Sequence, residues 1–436
     1  MRFLRKTPLT SGELEGDSVR AGSPSGGVAS SPRGGPGRNW RSLWVAVHRY
    51  TGLTIATFLV VAGLTGSALS FYRELDGLIN PGLVSLPERS PDAEPMDPLA
   101  LRKRIMEKIP GWRIDSLVLD HDPQFSTVFW QKLESGDWRS VFVDPYAGEV
   151  LGFREGSSLS GGISYLMPFL YQLHYELALG KTGVLLFGIV ALLWTIDCFV
   201  GFYLSLPPRS RLRRESRKSK SWLSRWKPSW LVKGGSLFRT LFTFHRASGL
   251  WVWPMLFVFA WSAVGFNLGL VYTPVMKLFG TGPDAHGQLP DLDQPRMNPA
   301  LAWPDALEKA RDHMAKEAVT RDFTVGKEGW LAYDPSHGTY QYRVHTSRDV
   351  GTRYPGTRLW FDGNSGELLS FRSPTGIARG DTISSWLFAL HMGTVGGLVY
   401  RIFVCVLGFV IAGLSFTGVY IWWKKSRARR RGKSPS

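Results

Sequence analysis

Four histidines carry the chemistry open to this chain. His48 begins the segment HRYTGL (His48–Leu53) and His245 begins HRASGL (His245–Leu250), each opening a long apolar stretch. His174 and His391 each follow a leucine, in Leu173-His174 and Leu390-His391, and each precedes a glycine-bearing lead into another apolar run. Any one of them could be a buried hydrogen-bonding residue. Two repeat-equivalent pairs beside a bilayer point elsewhere, because intramembrane imidazole is costly and polar groups there tend to be functional. An iron with both axial positions filled by histidine shuttles electrons with little rearrangement. Imidazole, borderline in softness, serves Fe(II) and Fe(III) alike. The pairs His48/His245 and His174/His391 therefore predict axial ligation of two bis-histidine haems. His121, His286, His313, His337 and His345 have no repeated partners, and solvated surface roles are expected for them.

Those side chains need a membrane frame. Segments near Leu43–Phe71, Thr182–Leu206, Ala247–Tyr272 and Ile402–Trp423 have the roughly 20 apolar residues that cross about 30 Å of hydrocarbon. Basic residues set their direction. The Pro207–Leu241 connection holds eleven Lys and Arg against one acid, Glu215, and the tail after Trp423 holds seven and no acid. Basic residues also outnumber acids before the first span. The positive-inside rule makes all three cytoplasmic. The lipid bilayer thus accounts for the formal charge of +17, and no nucleic acid partner is implied.

The expected order is a disordered cytoplasmic tail over 1–42, a first span over 43–72 and an outer domain over 73–164. An interfacial helix and second span cover 165–206, a basic cytoplasmic loop 207–241 and a third span 242–272. A second outer domain covers 273–385, an interfacial helix and fourth span 386–423, and a basic tail 424–436. The polar stretch after the basic start is unlike a signal peptide. In a bacterium this describes a multi-pass inner-membrane protein with both termini cytoplasmic and both long connections periplasmic.

The echo extends beyond the histidines. Val141–Arg154, VFVDPYAGEVLGFR, returns as Leu359–Arg372, LWFDGNSGELLSFR. Both halves run span, outer domain, Leu-His, span, so they read as parallel repeats about an axis along the membrane normal. Helical stretches at Pro98–Lys108 and Pro304–Ala318 precede strands at Ser126–Gln131, Ser140–Val143, Gln341–Thr346 and Arg358–Phe361. With turns at Asp144 and Asp362, they predict one helix on one small antiparallel sheet per half. His391 to Trp423 is too long for one straight span at 1.5 Å per residue. Trp386–Met392 should therefore form an interfacial helix, broken from the span at Gly393, Gly396 and Gly397. Tyr165–Leu177 should do the same before Gly180 and Gly183.

Other residues admit two readings. Arg49 and Arg246 follow the inner histidines directly, where they could pair with haem propionates or anchor to lipid phosphate. Arg401, basic at the outer start of a span, is the propionate candidate on that side. Asp197 lies inside a span, where an unpaired acid is expensive. A structural hydrogen bond to Thr195, Asn267 or a Trp is favoured over a proton path to a quinol site. Glycines thread every span and serve either close helix packing or the approach of a flat macrocycle. The two cysteines, Cys198 and Cys405, fall inside spans, so no disulfide staples the outer domains. Covalent c-type attachment and iron–sulfur clusters are likewise excluded. With no phosphate-binding or dinucleotide motif, reducing equivalents must come from a membrane quinol or a cytoplasmic reductase.

HRxxGL opening a span, the FxDxxxGE strand-turn-strand and Leu-His before the next span resemble the PepSY-associated transmembrane family. The arrangement is similar, more narrowly, to bacterial inner-membrane ferric-siderophore reductases of that family, over nearly the whole chain after Arg41. The resemblance implies an α-helical membrane protein with four transmembrane helices in two parallel repeats, each with a small α+β PepSY-like periplasmic domain. It also implies b-type haem on His48, His174, His245 and His391, and reduction of a ferric siderophore to release iron. Fe(III) is a hard cation held by hard oxygen donors, which hold Fe(II) far less well. The competing reading is a non-catalytic PepSY membrane protein that binds or regulates a periplasmic peptide, protease or transport partner. A permease for the intact chelate ranks last, four spans being few for alternating access.

Overall fold

The computed structural model describes residues 40–132, 138–208, 221–282, 289 and 292–431. The expected tail over 1–42, much of the basic run after Pro208, and His286 lie largely or wholly outside them. The chain runs as α1 (Trp40–Leu69), turns through α2 (Tyr72–Ile79) and α3 (Pro81–Val84), and enters a first extramembrane lobe with α4 (Pro98–Lys108). Asp97 caps α4 by accepting from the Leu99 and Ala100 amides, and Pro98 sits where no helical N–H is needed. Strands β1 (Ser116–Val118), β2 (Thr127–Lys132), β3 (Trp138–Asp144) and β4 (Glu149–Glu155) follow. Next come α5 (Leu166–Glu176), α6 (Gly180–Ser205) and the short α7 (Trp222–Trp226).

Then α8 (Leu237–Trp251), α9 (Trp253–Asn267) and α10 (Gly269–Lys277) lead to the second lobe. That lobe holds α11 (Trp303–Arg321) and strands β5 (Val325–Asp334), β6 (Thr339–Thr346), β7 (Thr357–Asp362) and β8 (Leu368–Arg372). Helices α12 (Arg379–His391) and α13 (Gly397–Arg431) complete the described chain.

Helices α1, α6 and α13 are each long and apolar enough to cross a membrane, while α8 and α9 meet that test only as a pair bent by 69°. This is a multi-pass membrane protein. The single straight third helix expected over 242–272 is instead broken into α8, α9 and α10. Its first break has a local cause: the Pro254 ring would collide with the Leu250 carbonyl and offers it no N–H. The helix restarts with Pro254 in its first turn. Across the bundle α1 meets α13 through glycine, a Cβ on Gly63 standing only 2.5 Å from the Gly408 carbonyl oxygen. Such contact supplies packing where lipid gives no hydrophobic drive. Ser67 Oγ adds a hydrogen bond to the Cys405 carbonyl at 2.7 Å. Midway along, Leu59, Cys198, Leu256, Phe259, Ala260, Leu407 and Ile411 form one apolar layer.

The interfacial helices break from the spans by backbone geometry. Between α12 and α13, Gly393, Gly396 and Gly397 all take left-handed φ, at 67°, 65° and 60°. Between α5 and α6 the turn passes through Leu177 and Ala178 at φ 56° and 54°, then Gly180 at 59°. Reporter fusions at Pro207 and Pro91 should report opposite compartments, with Pro207 on the cytoplasmic side. The same compartment from both would refute this arrangement of spans.

The lobes depart from one equal sheet per half. Strands β2-β3-β4 form a three-stranded antiparallel sheet, whereas the second sheet has five strands in the order β1-β5-β6-β7-β8. Strand β1 therefore leaves its own half and pairs antiparallel with β5, Leu117 opposite Leu331. An open β5 edge would expose unpaired backbone groups. Covering it also buries Leu117 completely against Leu331, Tyr333 and α11. The first lobe packs Leu101 and Ile105 of α4 on Phe129, Val141 and Val143. The two echoed segments share a detail that sequence reading missed. Register shifts between Phe142 and Val143 and between Trp360 and Phe361, the same place in each copy.

Candidate functional site

Two histidine pairs stand at two depths. His48 on α1 and His245 on α8 have ring centres 6.4 Å apart, with planes at 60°. His174 on α5 and His391, the last residue of α12, have centres 6.3 Å apart, with planes at 74°. Thr65, the α1 residue that touches His174, lies 17 residues beyond His48. That is about 25 Å of helix. The apolar layer around Leu59 and Leu407 lies between the pairs.

Each ring is held through Nδ1. His48 Nδ1 is 2.9 Å from Asp197 Oδ1. His174 Nδ1 is 3.0 Å from Thr65 Oγ1, His245 Nδ1 is 2.9 Å from Thr417 Oγ1, and His391 Nδ1 is 2.6 Å from Ser262 Oγ. The hydroxyls have already donated, Thr65 to the Val61 carbonyl, Ser262 to that of Val258 and Thr417 to that of Gly413. They must accept from the imidazoles. All four histidines are thereby assigned as Nδ1–H tautomers, leaving each Nε2 lone pair free to coordinate. Thr65 and Ser262 occupy the same place in the echo, each 17 residues after an inner histidine.

Glycine makes room for three of the rings. A Cβ on Gly66 would lie 3.0 Å from His174 Cε1, on Gly201 3.4 Å from His48 Cε1, and on Gly418 3.3 Å from His245 Cε1. His391 is instead flanked edge-on by Phe259 and Phe266. The HRxxGL glycines, one helical turn after the inner histidines, face space: a Cβ on Gly52 would meet nothing within 4 Å, and one on Gly249 only Leu414 at 3.9 Å. Helix crossing, one of the two roles open in the sequence, is thus served at Gly63 and Gly408, and Gly52 and Gly249 leave open space on α1 and α8.

A sequence model of the PepSY-associated TM region matches residues 45–425. The chain belongs to the PepSY-associated transmembrane family. No curated protein matches it.

In this PepSY-associated protein the three candidate arginines serve different ends. Arg401 is committed to protein: Nε and Nη2 donate to the Ser70 carbonyl at 3.0 and 2.8 Å, and Nη2 to Glu74 Oε1 at 2.7 Å. The end of α1 leaves carbonyls without helical partners, and Arg401 answers one of them. The propionate candidate of the outer side thus already has two protein acceptors. Burial pushes the Glu74 carboxyl up, but the hydrogen bond and charge of Arg401 prevail and leave it below its ordinary value. Arg246 Nη2 donates to the Pro228 carbonyl at 2.6 Å, while its shielded Nε has no partner. Arg49 lies 5.9 Å from the Tyr50 ring centre and makes no hydrogen bond or ion pair among the described residues.

Asp197 makes the hydrogen bond expected of a buried acid, but with a partner that the sequence reading did not name. Thr195 donates to the Ala191 carbonyl, Asn267 to the Tyr175 carbonyl and Trp253 to the Cys198 carbonyl, and the hydrogen bond that Asp197 makes is with His48 rather than with Thr195, Asn267 or a Trp. Residues two apart on a helix do not face each other, which rules out Thr195 locally. A buried acid must find a donor, and His48, at the same end of the neighbouring span, was the available one. The histidines of the two lobes are also less solvated than expected. His313 Nε2 donates to the Gly366 carbonyl at 2.8 Å, and His337 Nδ1 lies 2.7 Å from Asp334. His121 Nδ1 meets Thr127 Oγ1 at 2.7 Å, and burial holds its imidazole below its ordinary pKa against the pull of Asp120.

Proposed function

We propose that this protein is an inner-membrane haem-b reductase that passes electrons across the membrane and reduces a ferric siderophore in the periplasm, releasing its iron. The observation that carries the reading is the spacing of the histidine pairs, 6.4 and 6.3 Å between ring centres. Taking the imidazole–metal bond of about 2.0–2.1 Å known for zinc as a guide, and about 1.1 Å from nitrogen to ring centre, coaxial ligands stand about 6.2–6.4 Å apart. Each pair offers two nitrogens only. Among the described residues no group of three or more His, Cys, Asp or Glu could hold a bare metal ion. Two paired imidazoles and no further ligating group would suit an iron already held by a macrocycle. The cleared face at Gly52 fits the same group.

Haem bound there supplies one-electron exchange between Fe(III) and Fe(II). The chain's own residues do the remainder. Asp197, Thr65, Ser262 and Thr417 fix the imidazoles and their tautomer, a device that orients metal-binding histidine generally. The apolar layer keeps water from the path between the pairs. In this reading the halves are parallel repeats, both lobes are periplasmic PepSY-like domains, and a membrane quinol or cytoplasmic reductase is the electron donor. The purified protein should contain two haem b per chain by pyridine haemochrome assay. Dithionite-reduced protein mixed anaerobically with ferric siderophores should be reoxidised. One haem or none would defeat the two-site reading. Full haem content with no reoxidation by any chelate would defeat the reductase reading and favour a regulatory membrane protein.

A further inference from the structure

We infer that Asp197 sets the direction of electron flow, by making His48 a stronger donor than the other three ligands and giving the inner haem the lower potential. The inference rests on the haem reading above. It comes from comparing four equivalent positions within one molecule. Three Nδ1–H groups are received by neutral hydroxyls, each of which passes its own hydrogen to a helix carbonyl. The fourth is received by a carboxylate that is only 8% exposed.

The local sequence shows that this difference is a substitution of chemistry. Val200-Gly201-Phe202-Tyr203 on α6 corresponds to Thr417-Gly418-Val419-Tyr420 on α13, because Gly201 and Gly418 meet the inner histidines alike, at 3.4 and 3.3 Å from Cε1. Where α13 has Thr417 to hold its histidine, α6 has Val200. Where α13 has Leu414, α6 has Asp197. A hydroxyl would orient His48 as Thr417 orients His245. A carboxylate is expensive inside a span, so orientation alone does not account for it.

What a carboxylate adds is a charge-assisted hydrogen bond, roughly twice as strong as a neutral one, and a more basic imidazole on the far side of the ring. A more basic ligand stabilises Fe(III) over Fe(II) and lowers the potential. Both outer ligands are held by hydroxyls, so single electrons run downhill from the inner to the outer site, with no bond made and no proton moved. Asp197 is in this sense a positioning residue that acts through His48.

The test is an anaerobic potentiometric titration of haem-loaded protein followed by its absorption bands. The inner component is identified as the one missing from His245→Ala. In wild type it should be the lower of two. Asp197→Asn should shift its oxidation–reduction ratio about tenfold at fixed potential, about 59 mV upward for one electron, and leave the outer component in place. The double change Asp197→Leu with Val200→Thr copies α13 and should give the same shift while keeping a hydroxyl on His48. An inner component that is the higher of the two in wild type, or unmoved in both variants, overturns the inference. So does loss of inner haem from both, which would make Asp197 a purely structural residue. Wild-type protein without haem would instead fail the reading on which the inference stands.

Discussion

Replacing His391 by alanine should abolish ferric-chelate reduction while the inner site still accepts electrons from its donor. His391 and His174 form the pair on the lobe side, joined to it through α12 and α5. On the proposed function, losing one of the two imidazoles of that pair empties its haem site, and the chelate then has no reduced partner within reach. The complementary change, His48→Ala, should block donor-driven turnover yet leave chemically pre-reduced outer haem able to be oxidised by chelate. Stopped-flow reoxidation with a panel of ferric siderophores separates the two. Chelate reduction should fall to the uncatalysed rate in His391→Ala and survive, after dithionite reduction, in His48→Ala. Identical haem loss from both variants would mean that the pairs are not independent sites.

The largest expected loss of stability lies in the first lobe. Arg154 on β4 donates bidentately to Asp76 on α2, Nη1 to Oδ2 at 2.9 Å and Nη2 to Oδ1 at 3.0 Å, with side chains 6% and 3% exposed. Removing one partner strands a buried charge, and Arg154→Leu or Asp76→Leu should each cost about 3–5 kcal/mol. Changing both together should recover much of that, since the stranded charge is gone. The echoed arginine gives an internal control. Arg372 lies 3.7 Å from Asp381 and is 44% exposed, so Arg372→Leu should cost at most about 1 kcal/mol. Thermal unfolding and limited proteolysis of the first lobe would measure the difference. Equal losses at the two arginines would show that burial does not govern the pair.

Much of this architecture was legible locally. The helix at Pro98–Lys108 announces itself through Asp97 and Pro98, and the breaks before α6 and α13 through Gly180 and Gly393 with Gly396 and Gly397. The turns at Asp144 and Asp362 carry side chains that accept from backbone amides two and three residues on. In each case the residues that determine the conformation are neighbours in the chain. Strand β5 was overlooked because its Gly326-Lys-Glu-Gly329 start dilutes the alternation on which a strand is recognised.

The pairing of the histidines followed from the chain alone, because two copies of one pattern at matched depths leave few partners for each imidazole. What holds each ring did not. The acceptors Asp197, Thr65, Thr417 and Ser262 lie 109 to 172 residues from their histidines. A hydroxyl in a span ordinarily needs nothing beyond its own helix carbonyl, so Thr65 resembles any other span threonine until α5 is docked against α1. The exchange of β1 between lobes and the capture of Arg401 by Ser70 and Glu74 are of the same kind. Local pattern determines which segments are apolar enough to cross the membrane, where glycines break the helices before α6 and α13, and which histidines recur in pairs. Only the packing of spans against one another decides which buried acceptor meets which imidazole, because that choice depends on the rotation and depth of helices far apart in the chain.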